Sequence, residues 1–545
     1  MRKENVNTII ILTLASAAVI FTVVFMFSPS VLGISDKDTL YELKYFDKGT
    51  VNTVEITVSE GDWADILENP TDEEYHMADV TVNGDYYGSA GIRTKGMTSL
   101  SMVASSDSER YSFKIKADEY VSGQSFAGLN KFVLNNNYQD ATYMKEYLSY
   151  DMMASLGVPT PLYSYAAVYI NGEYYGLYLM VEAVEEDFAY RNFGASYGEL
   201  YKPDSMGDMG GGGDKPEGDF GKDKNMSDMQ RPEGNFAGFE NMDMTNIQMP
   251  EGDFQRMNGN MSEFNPENIR AGQMNFGGFG SGGGADLVYT DDNVSSYSTI
   301  FDNAVFDGVT EYDKEKVIMA LENLKDGTDL KTYVDVDEVL KYFAANTVVV
   351  NLDHYAGTMK HNYYLYEENG QLSIIPWDYN LAFGGFQSGD ASSVINFPID
   401  TPVSEGISLD ERPLIGSLLE VDEYKERYHE YLSLLTSEYL GSSLAVKVEK
   451  INSLISDYVE LDPTAFFTFD EYKSALEALK EFGVLRGESI AGQLSGKIPS
   501  TWDLQNADSS ALVNTAGYSL SALGSMGGGG DFTDKNFPSK ENKNF

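Results

Sequence analysis

No cysteine occurs anywhere in the 545 residues. That absence removes disulfides, thiolate zinc sites and cysteine nucleophiles together. Histidine is nearly as scarce, with only His76, His354, His361 and His429, so a multi-histidine metal centre is not expected. Positive charge is the third shortage. Lys and Arg number 38 against 85 Asp and Glu, for a formal net charge of -47. Neutralising nucleic-acid phosphates needs clustered Lys and Arg, so nucleic acid is excluded as a partner. Carboxylates, lysines, amides and hydroxyls must therefore carry any chemistry. Core material is ample: 42% of residues are hydrophobic and 13% aromatic, which excludes wholesale disorder. At ~150 residues per domain the length allows two or three domains, or one two-lobed unit with insertions.

Arg2 and Lys3 precede an uncharged run from Thr8 to Phe27. At about 1.5 Å rise per residue, such a run matches a hydrocarbon core of ~30 Å. Positive charge ahead of it predicts a cytoplasmic N-terminus and export of the remainder of the chain. An uncleaved anchor is the expectation, because the run exceeds a signal core of ~7–15 residues. A cleaved signal peptide is the competing reading, with Val31 and Gly33 suiting a small-residue cleavage site. The expected location is the cell membrane, single-pass with the bulk of the chain extracellular, or secretion if the segment is cleaved.

Two later segments share a strand-turn-strand pattern, at residues 78–96 and 166–182. In each, Asn-Gly separates alternating apolar runs, the strongest short hairpin signal. The alternation in SFKIKAD (112–118) predicts a strand between them, and Val54 to Val58 predicts another. Ala141 to Leu156 places Tyr143, Tyr147, Leu148, Met152 and Leu156 on one helical face, and Gly157 and Pro159 stop it. Residues 203–285 differ in kind. They hold 18 Gly and ten Met, yet Ile247 and Ile269 are their only Ile, Val or Leu residues. PEGDF at Pro216 returns as PEGNF at Pro232 and PEGDF at Pro250. So little apolar surface does not offset ordering entropy, and a disordered insertion is expected. Order resumes near Asp286, with a helix from about Asp335 to Val350 and mostly helical periodicity from Arg412 to about Gly492.

The chemistry concentrates between these last two features. Asp353 follows a helix, Asn362 opens the strand NYYLY, and Asp378 ends the strand LSIIPW. The Asn369-Gly370 turn predicts a hairpin whose outer ends bring Asn362 and Asp378 together, with Asp353 nearby. Two carboxylates and an amide are hard oxygen ligands suited to Mg²⁺, which in turn suits phosphate substrates. Asp353 as a helix-terminal residue and Asp378 as a turn former is the plainer alternative. Upstream, GSAGIRTKGMTS (88–99) is a glycine-rich turn able to cover phosphates with backbone N–H groups. Gly88 and Gly91 serve equally well as ordinary hairpin residues. Lys114 and Lys116 share one face of the next strand, and Glu146 on the following helix is a candidate partner for a phosphate-binding lysine.

These residues resemble the CotH kinase family, named for the spore coat protein H of spore-forming bacteria. The matching phrases are GIRTKGMTS, LNKFVLNNNYQDATYMKEYLSYDMMASLGVPTP, VYINGEYYGLYLMVE, GELYK, NLDHYAGTMKHNYYLY and IPWDYNLAFGG. They run in the family's order over roughly residues 50 to 420. The resemblance implies an atypical protein-kinase-like fold that uses ATP and Mg²⁺ to phosphorylate Ser or Thr of secreted or coat proteins. Asp353 is similar to the catalytic aspartate, and Asn362 and Asp378 resemble the metal-binding pair. Gly91, Arg93, Lys95 and Gly96 stand in the glycine-rich loop. Lys114 or Lys116 takes the place of the phosphate-anchoring lysine, Glu146 that of its partner, and Lys202 is a third lysine candidate. Glu182 looks like the hinge residue above the adenine. The chain departs from ordinary kinases at Asn351-Leu352-Asp353, where no His-Arg-Asp stands, and nothing resembling an activation loop follows Asp378.

The expected fold is α+β, an atypical two-lobed protein-kinase-like fold with an N-terminal transmembrane helix and a disordered Gly/Met-rich insertion. Its parts are an anchor or signal over 1–34, a strand-rich nucleotide-binding lobe over 50–202 and the insertion over 203–285. A helical catalytic lobe over 286–500 and a flexible tail over 524–545 complete it. The expected partners are a Ser/Thr-bearing protein acceptor and the membrane. Two other functions stay open on the same residues: a catalytically inactive surface binding or structural protein, and a phosphotransferase acting on a cell-wall polymer.

Overall fold

The computed structural model describes residues 39–203 and 285–524. Seven strands fill most of the first stretch: β1 (Val51–Val58), β2 (His76–Val82), β3 (Asp85–Lys95), β4 (Ser112–Lys116), β5 (Lys131–Asn135), β6 (Tyr163–Ile170) and β7 (Glu173–Glu182). They close into a barrel in the order β1-β2-β3-β4-β5-β7-β6. Closure comes from parallel pairing of β1 with β6, Val51 opposite Tyr165 through Ile56 opposite Ile170. The β2–β3 and β6–β7 hairpins form where the Asn-Gly pairs predict them. Asn83 and Gly84 have φ of 52° and 89°, and Asn171 and Gly172 have 51° and 90°. Left-handed backbone at both central residues matches the twist of the flanking strands.

Alternation along each strand sorts side chains between two cores. Val54, Ile56, Val80, Ile92, Phe113, Ile115, Phe132, Leu134 and Met180 fill the barrel interior. On β5 and β7 the opposite face is apolar too, with Val133, Leu177, Leu179 and Val181. These outer residues pack against helix α1 (Lys145–Ser155) and share one continuous core with the helices of the second stretch. Each fully buried Leu, Val or Phe contributes about 1.5–3 kcal/mol. The second stretch supplies α2 (Val336–Val349), the hairpin β9 (Tyr363–Glu368) and β10 (Gln371–Pro376), and α3 (Asp422–Tyr439), α4 (Ser442–Glu460) and α5 (Phe469–Leu494). The short strand β8 (Glu199–Tyr201) adds to β9.

This architecture corrects the expected two-lobed kinase-like fold. The expected strand-rich lobe is a closed barrel, because β6 returns to pair with β1. The barrel's outer face is built into the helical core instead of standing apart from it. A buried ion pair fastens the same junction: Arg110, just before β4, meets Asp462, just after α4, at 2.8 Å, and both side chains are fully buried.

A second correction concerns location. Among the described residues no helix is long and apolar enough to cross a membrane. The longest, α5, carries Asp470, Glu471, Lys473, Glu477 and Lys480 along its length. The expected single-pass membrane placement therefore finds no spanning helix, and the run Thr8 to Phe27 on which it stood lies outside the described residues. The insertion at 204–284 and the tail after Gly524 lie outside them as well.

Helix α1 starts later than periodicity predicts. Tyr143 has a φ of 59°, which no helix accommodates, and Asp140 instead receives the backbone N–H of Thr142 and Lys145 at 2.9 Å each. Helix α2 matches its expected span, with Asp335 capping it by accepting from the Glu338 N–H at 3.0 Å.

Candidate active site

The end of β3 projects Lys95 away from the barrel interior, since Ile92 and Thr94 alternate with Arg93 and Lys95. The Lys95 ammonium is buried and donates to Asn135 Oδ1 at 3.1 Å. Asn135 Nδ2 donates onward to Glu146 Oε2 at 2.9 Å, and Glu146 Oε1 accepts from the Tyr150 hydroxyl at 2.9 Å. Tyr150 in turn accepts the backbone N–H of Asp378 at 3.1 Å. A hydrogen-bond chain thus runs from the barrel through α1 to the far end of β10. Burial, and secondarily the charge of Asp378, push the Glu146 carboxyl up to about 7. The Lys95 ammonium also lies 5.4 Å from the centroid of Trp377, within cation–π range.

The opposing wall is the loop after α2. Val350 turns the chain out of the helix with a φ of 47°, rare for a β-branched residue. Asn346 holds the turn, donating to the Asn351 carbonyl at 3.2 Å, accepting from the Tyr379 hydroxyl at 3.1 Å and contacting the buried His354. Asp353 is thereby fixed. Its carboxylate meets His361 Nε2 at 2.8 Å and accepts from Asn362 Nδ2 at 3.0 Å. Burial raises the Asp353 carboxyl, while His361 opposes that shift and the charge of Asp378 adds to it. Pairing of Tyr363 with Pro376 places Asn362 and Asp378 on adjoining ends of the β9–β10 hairpin, as the Asn369-Gly370 turn predicts. Gly357 tolerates no side chain in this loop, since a Cβ there would lie 1.8 Å from the Leu352 carbonyl oxygen.

The structure therefore gathers Lys95, Glu146, Asp353, Asn362 and Asp378. Lys202 stands close by, with its ammonium 5.8 Å from the Tyr364 ring centroid and 6.0 Å from that of Trp377. Of the other candidates, Arg93, Lys116 and Glu182 are held in ion pairs of their own. Arg93 pairs with Glu73, and Lys116 pairs with Glu119 at 3.0 Å. Lys114 is buried on β4 opposite Arg93. Gly91 packs against Glu119 and Tyr75, where a Cβ would meet atoms at 2.8 Å. Gly96, with a φ of 116°, turns the chain directly after Lys95. Glu182 is fully buried, ion-paired to Arg191 at 2.5 Å and bonded by the Tyr41 hydroxyl at 2.8 Å. Asn135, Tyr150, Trp377 and His361 were not among the sequence candidates. Asn135 had a legible signal: it is polar on the strand KFVLN, in phase with Val133 and out of phase with the barrel-filling Phe132 and Leu134.

Among the described residues no group of three or more Asp, Glu or His side chains is arranged as a metal cage. The donors here fit Mg²⁺ in another way. Asp378 and Asn362 stand at adjoining chain ends, and the charge of Asp378 raises the carboxyls of both Asp353 and Glu146, so negative charge accumulates here. Mg²⁺ takes one or two carboxylates and leaves its remaining positions to water and phosphate oxygens.

Comparison with known proteins identifies the family. The chain is 22% identical over 379 residues to the inner spore coat protein H of Bacillus subtilis (strain 168), an alignment covering 68% of this chain and 80% of that protein. The family model described as CotH kinase protein matches residues 92–490, which include every residue of the gathered site. With a match over well more than half its length, the chain belongs to the CotH kinase protein family.

Proposed function

We propose that this chain is a Mg²⁺-dependent phosphotransferase that moves the γ-phosphate of ATP to a Ser or Thr hydroxyl of a protein acceptor. The observation that carries this reading is the convergence of the Lys95–Asn135–Glu146 chain with Asp353, Asn362 and Asp378. Lys95 offers a buried, positioned ammonium to phosphate oxygens, and Trp377 limits water access beside it. Asp353, held by His361 and Asn362, orients the acceptor hydroxyl and takes its proton as the oxygen–phosphorus bond forms and ADP leaves. Asn362 and Asp378 are the residues that would hold Mg²⁺, whose charge, when bound, neutralises the phosphates. Lys202 is a second cation placed toward the same space.

The test is phosphate transfer from labelled ATP by the full chain, alone and with a Ser/Thr-rich acceptor protein, with and without Mg²⁺. Transfer that needs Mg²⁺ and disappears in Asp353→Asn supports the reading. Equal transfer by wild type and Asp353→Asn overturns it.

A further inference from the structure

A wide-mouthed surface cavity of about 420 Å³, open to solvent, adjoins the loop that carries Asp353. One wall is that loop itself, through Thr358 and Lys360. Lys360 immediately precedes His361, which contacts the Asp353 carboxylate, so the wall is one residue from a direct contact of the reacting group.

The opposite wall is the segment from Asp286 to Thr290. It is fastened to the same loop and hairpin. The Tyr355 hydroxyl donates to the Asp286 carbonyl at 3.0 Å, the Tyr363 hydroxyl to the Ala285 carbonyl at 2.7 Å, and Lys360 pairs with Asp286 at 3.3 Å. The third side comes from Ile407 and Arg412. Arg412 is buried and donates to the Tyr355 carbonyl at 2.7 Å and the Gly357 carbonyl at 2.6 Å. All three walls are therefore tied to the Asp353 loop by hydrogen bonds, and the cavity keeps a set position relative to Asp353.

The lining is mixed: the apolar Val288 and Ile407, the hydroxyl of Thr290, and the carboxylates Asp286 and Glu411 beside the cations Lys360 and Arg412. The cations proposed to meet the nucleotide phosphates, Lys95 and Lys202, flank Trp377 and do not line this cavity. Alternating apolar, polar and charged groups suit a peptide chain, whose backbone and side chains present the same mixture. The volume lies within the ~300–1,000 Å³ of ordinary ligand sites, enough for a few residues.

We infer that this cavity receives the acceptor polypeptide, holding the residues that flank the hydroxyl presented to Asp353. The inference rests on the phosphotransferase reading and adds to it the place where the acceptor binds.

The lack of cysteine makes a reversible test simple. Thr290→Cys, at an exposed position, places a single thiol in the full chain. A bulky methanethiosulfonate reagent blocks the cavity there, and dithiothreitol reopens it. Val446→Cys, on an exposed face of α4, carries the same reagent as a control. The acceptor probe is a degenerate mixture of Ser- and Thr-containing peptides with labelled ATP. Blocking Thr290→Cys is expected to raise the peptide KM at least tenfold, to change the ATP KM less than twofold, and to reverse on reduction. A peptide KM unchanged by blocking, or an equal rise in blocked Val446→Cys, overturns the inference. Absence of transfer to any peptide by the unblocked chain overturns the protein-acceptor reading and this inference with it. Mg²⁺-dependent ATP binding, measured on the same sample, then shows whether nucleotide recognition survives that failure.

Discussion

Lys95 reaches Glu146 through Asn135, whose amide accepts from the ammonium at 3.1 Å and donates to the carboxylate at 2.9 Å. A carboxylate in direct contact would cancel much of the lysine's charge. A neutral amide positions the ammonium without cancelling its charge, which in the proposed phosphotransferase would face phosphate oxygens. The Glu146 carboxyl, pushed up to about 7 chiefly by burial, accepts from the amide and so orients it.

Replacing Lys95 should be far more costly than replacing the lysines on β4. Lys95→Met is expected to lower kcat/KM for ATP by about 10²–10³-fold, the range for loss of one preorganised charge donor. Asn135→Ala should cost about tenfold, consistent with one hydrogen bond of ~1.5 kcal/mol. Lys116→Ala, which removes a partly exposed pair with Glu119 and a cation–π contact with Tyr75, should stay within about twofold. Steady-state kinetics of the three variants checks the order. Equal losses in Lys95→Met and Lys116→Ala would contradict the assignment.

The two aspartates should fail in different ways. Asp353→Asn is expected to keep Mg²⁺-dependent ATP binding and lose about 10²–10⁴-fold in transfer rate, the usual worth of a general base. Asp378→Asn should instead weaken that binding itself. Titration calorimetry beside single-turnover transfer separates the two. Unchanged Mg²⁺-dependent binding in Asp378→Asn would remove it from the metal site.

His354 sets a pH dependence of stability. Burial first, and then the charge of Arg412, pull its imidazole down to about 3, so the folded protein holds it neutral. The unfolded chain takes up that proton near the ordinary value of 6.5. Stability from this group is therefore complete above about pH 6.5 and is lost as pH falls toward about 3, by at most ~1.4 kcal/mol per pH unit. Urea midpoints of wild type and His354→Gln between about pH 7.5 and 4.5 test this, a range that spans the ordinary histidine value. The variant should begin lower at the alkaline end and fall less steeply, and parallel pH profiles would show that His354 contributes nothing to the slope.

The ion pair joining barrel and helices should be expensive to break. Arg110 also donates to the Asn136 carbonyl at 2.9 Å, and Asp462 accepts from the Leu177 N–H at 2.9 Å, so removing either partner strands the other in the core. Asp462→Ala is expected to destabilise the fold by about 3–5 kcal/mol. Equilibrium urea unfolding measures it, and a loss below ~1 kcal/mol would mean that the junction relaxes to admit water.

The contiguous part of the site was legible in the chain itself. Asp353, Asn362 and Asp378 fall within one loop and one hairpin, and the Asn369-Gly370 turn dictates how the hairpin ends meet. The lysine proposed to face phosphate was not legible in this way. Lys95, Lys114 and Lys116 all lie on neighbouring strands and face the same side, and strand periodicity treats them alike. Arg93 and Lys116 are taken up by Glu73 and Glu119, and only pairing across the barrel brings Lys95 to Asn135. The surroundings of Glu182 were hidden for a related reason: its ion-pair partner Arg191 comes from the following helix.

The sequence by itself determined the local features, whose causes lie within a few residues. These are the Asn-Gly turns of three hairpins, the Asp335 cap, the helical run after Arg412 and an acidic chain without thiol chemistry. Tertiary structure decided the features that depend on distant partners. The barrel closes through parallel pairing of β1 with β6, a contact no alternation pattern encodes. It joins the helices through Arg110 and Asp462, 352 residues apart in the chain. The choice of Lys95, the amide between it and Glu146, and the cavity beside the Asp353 loop belong to the same class. Each is a matter of which side chain stands opposite which after the chain has closed on itself, and periodicity records only which face a side chain is on.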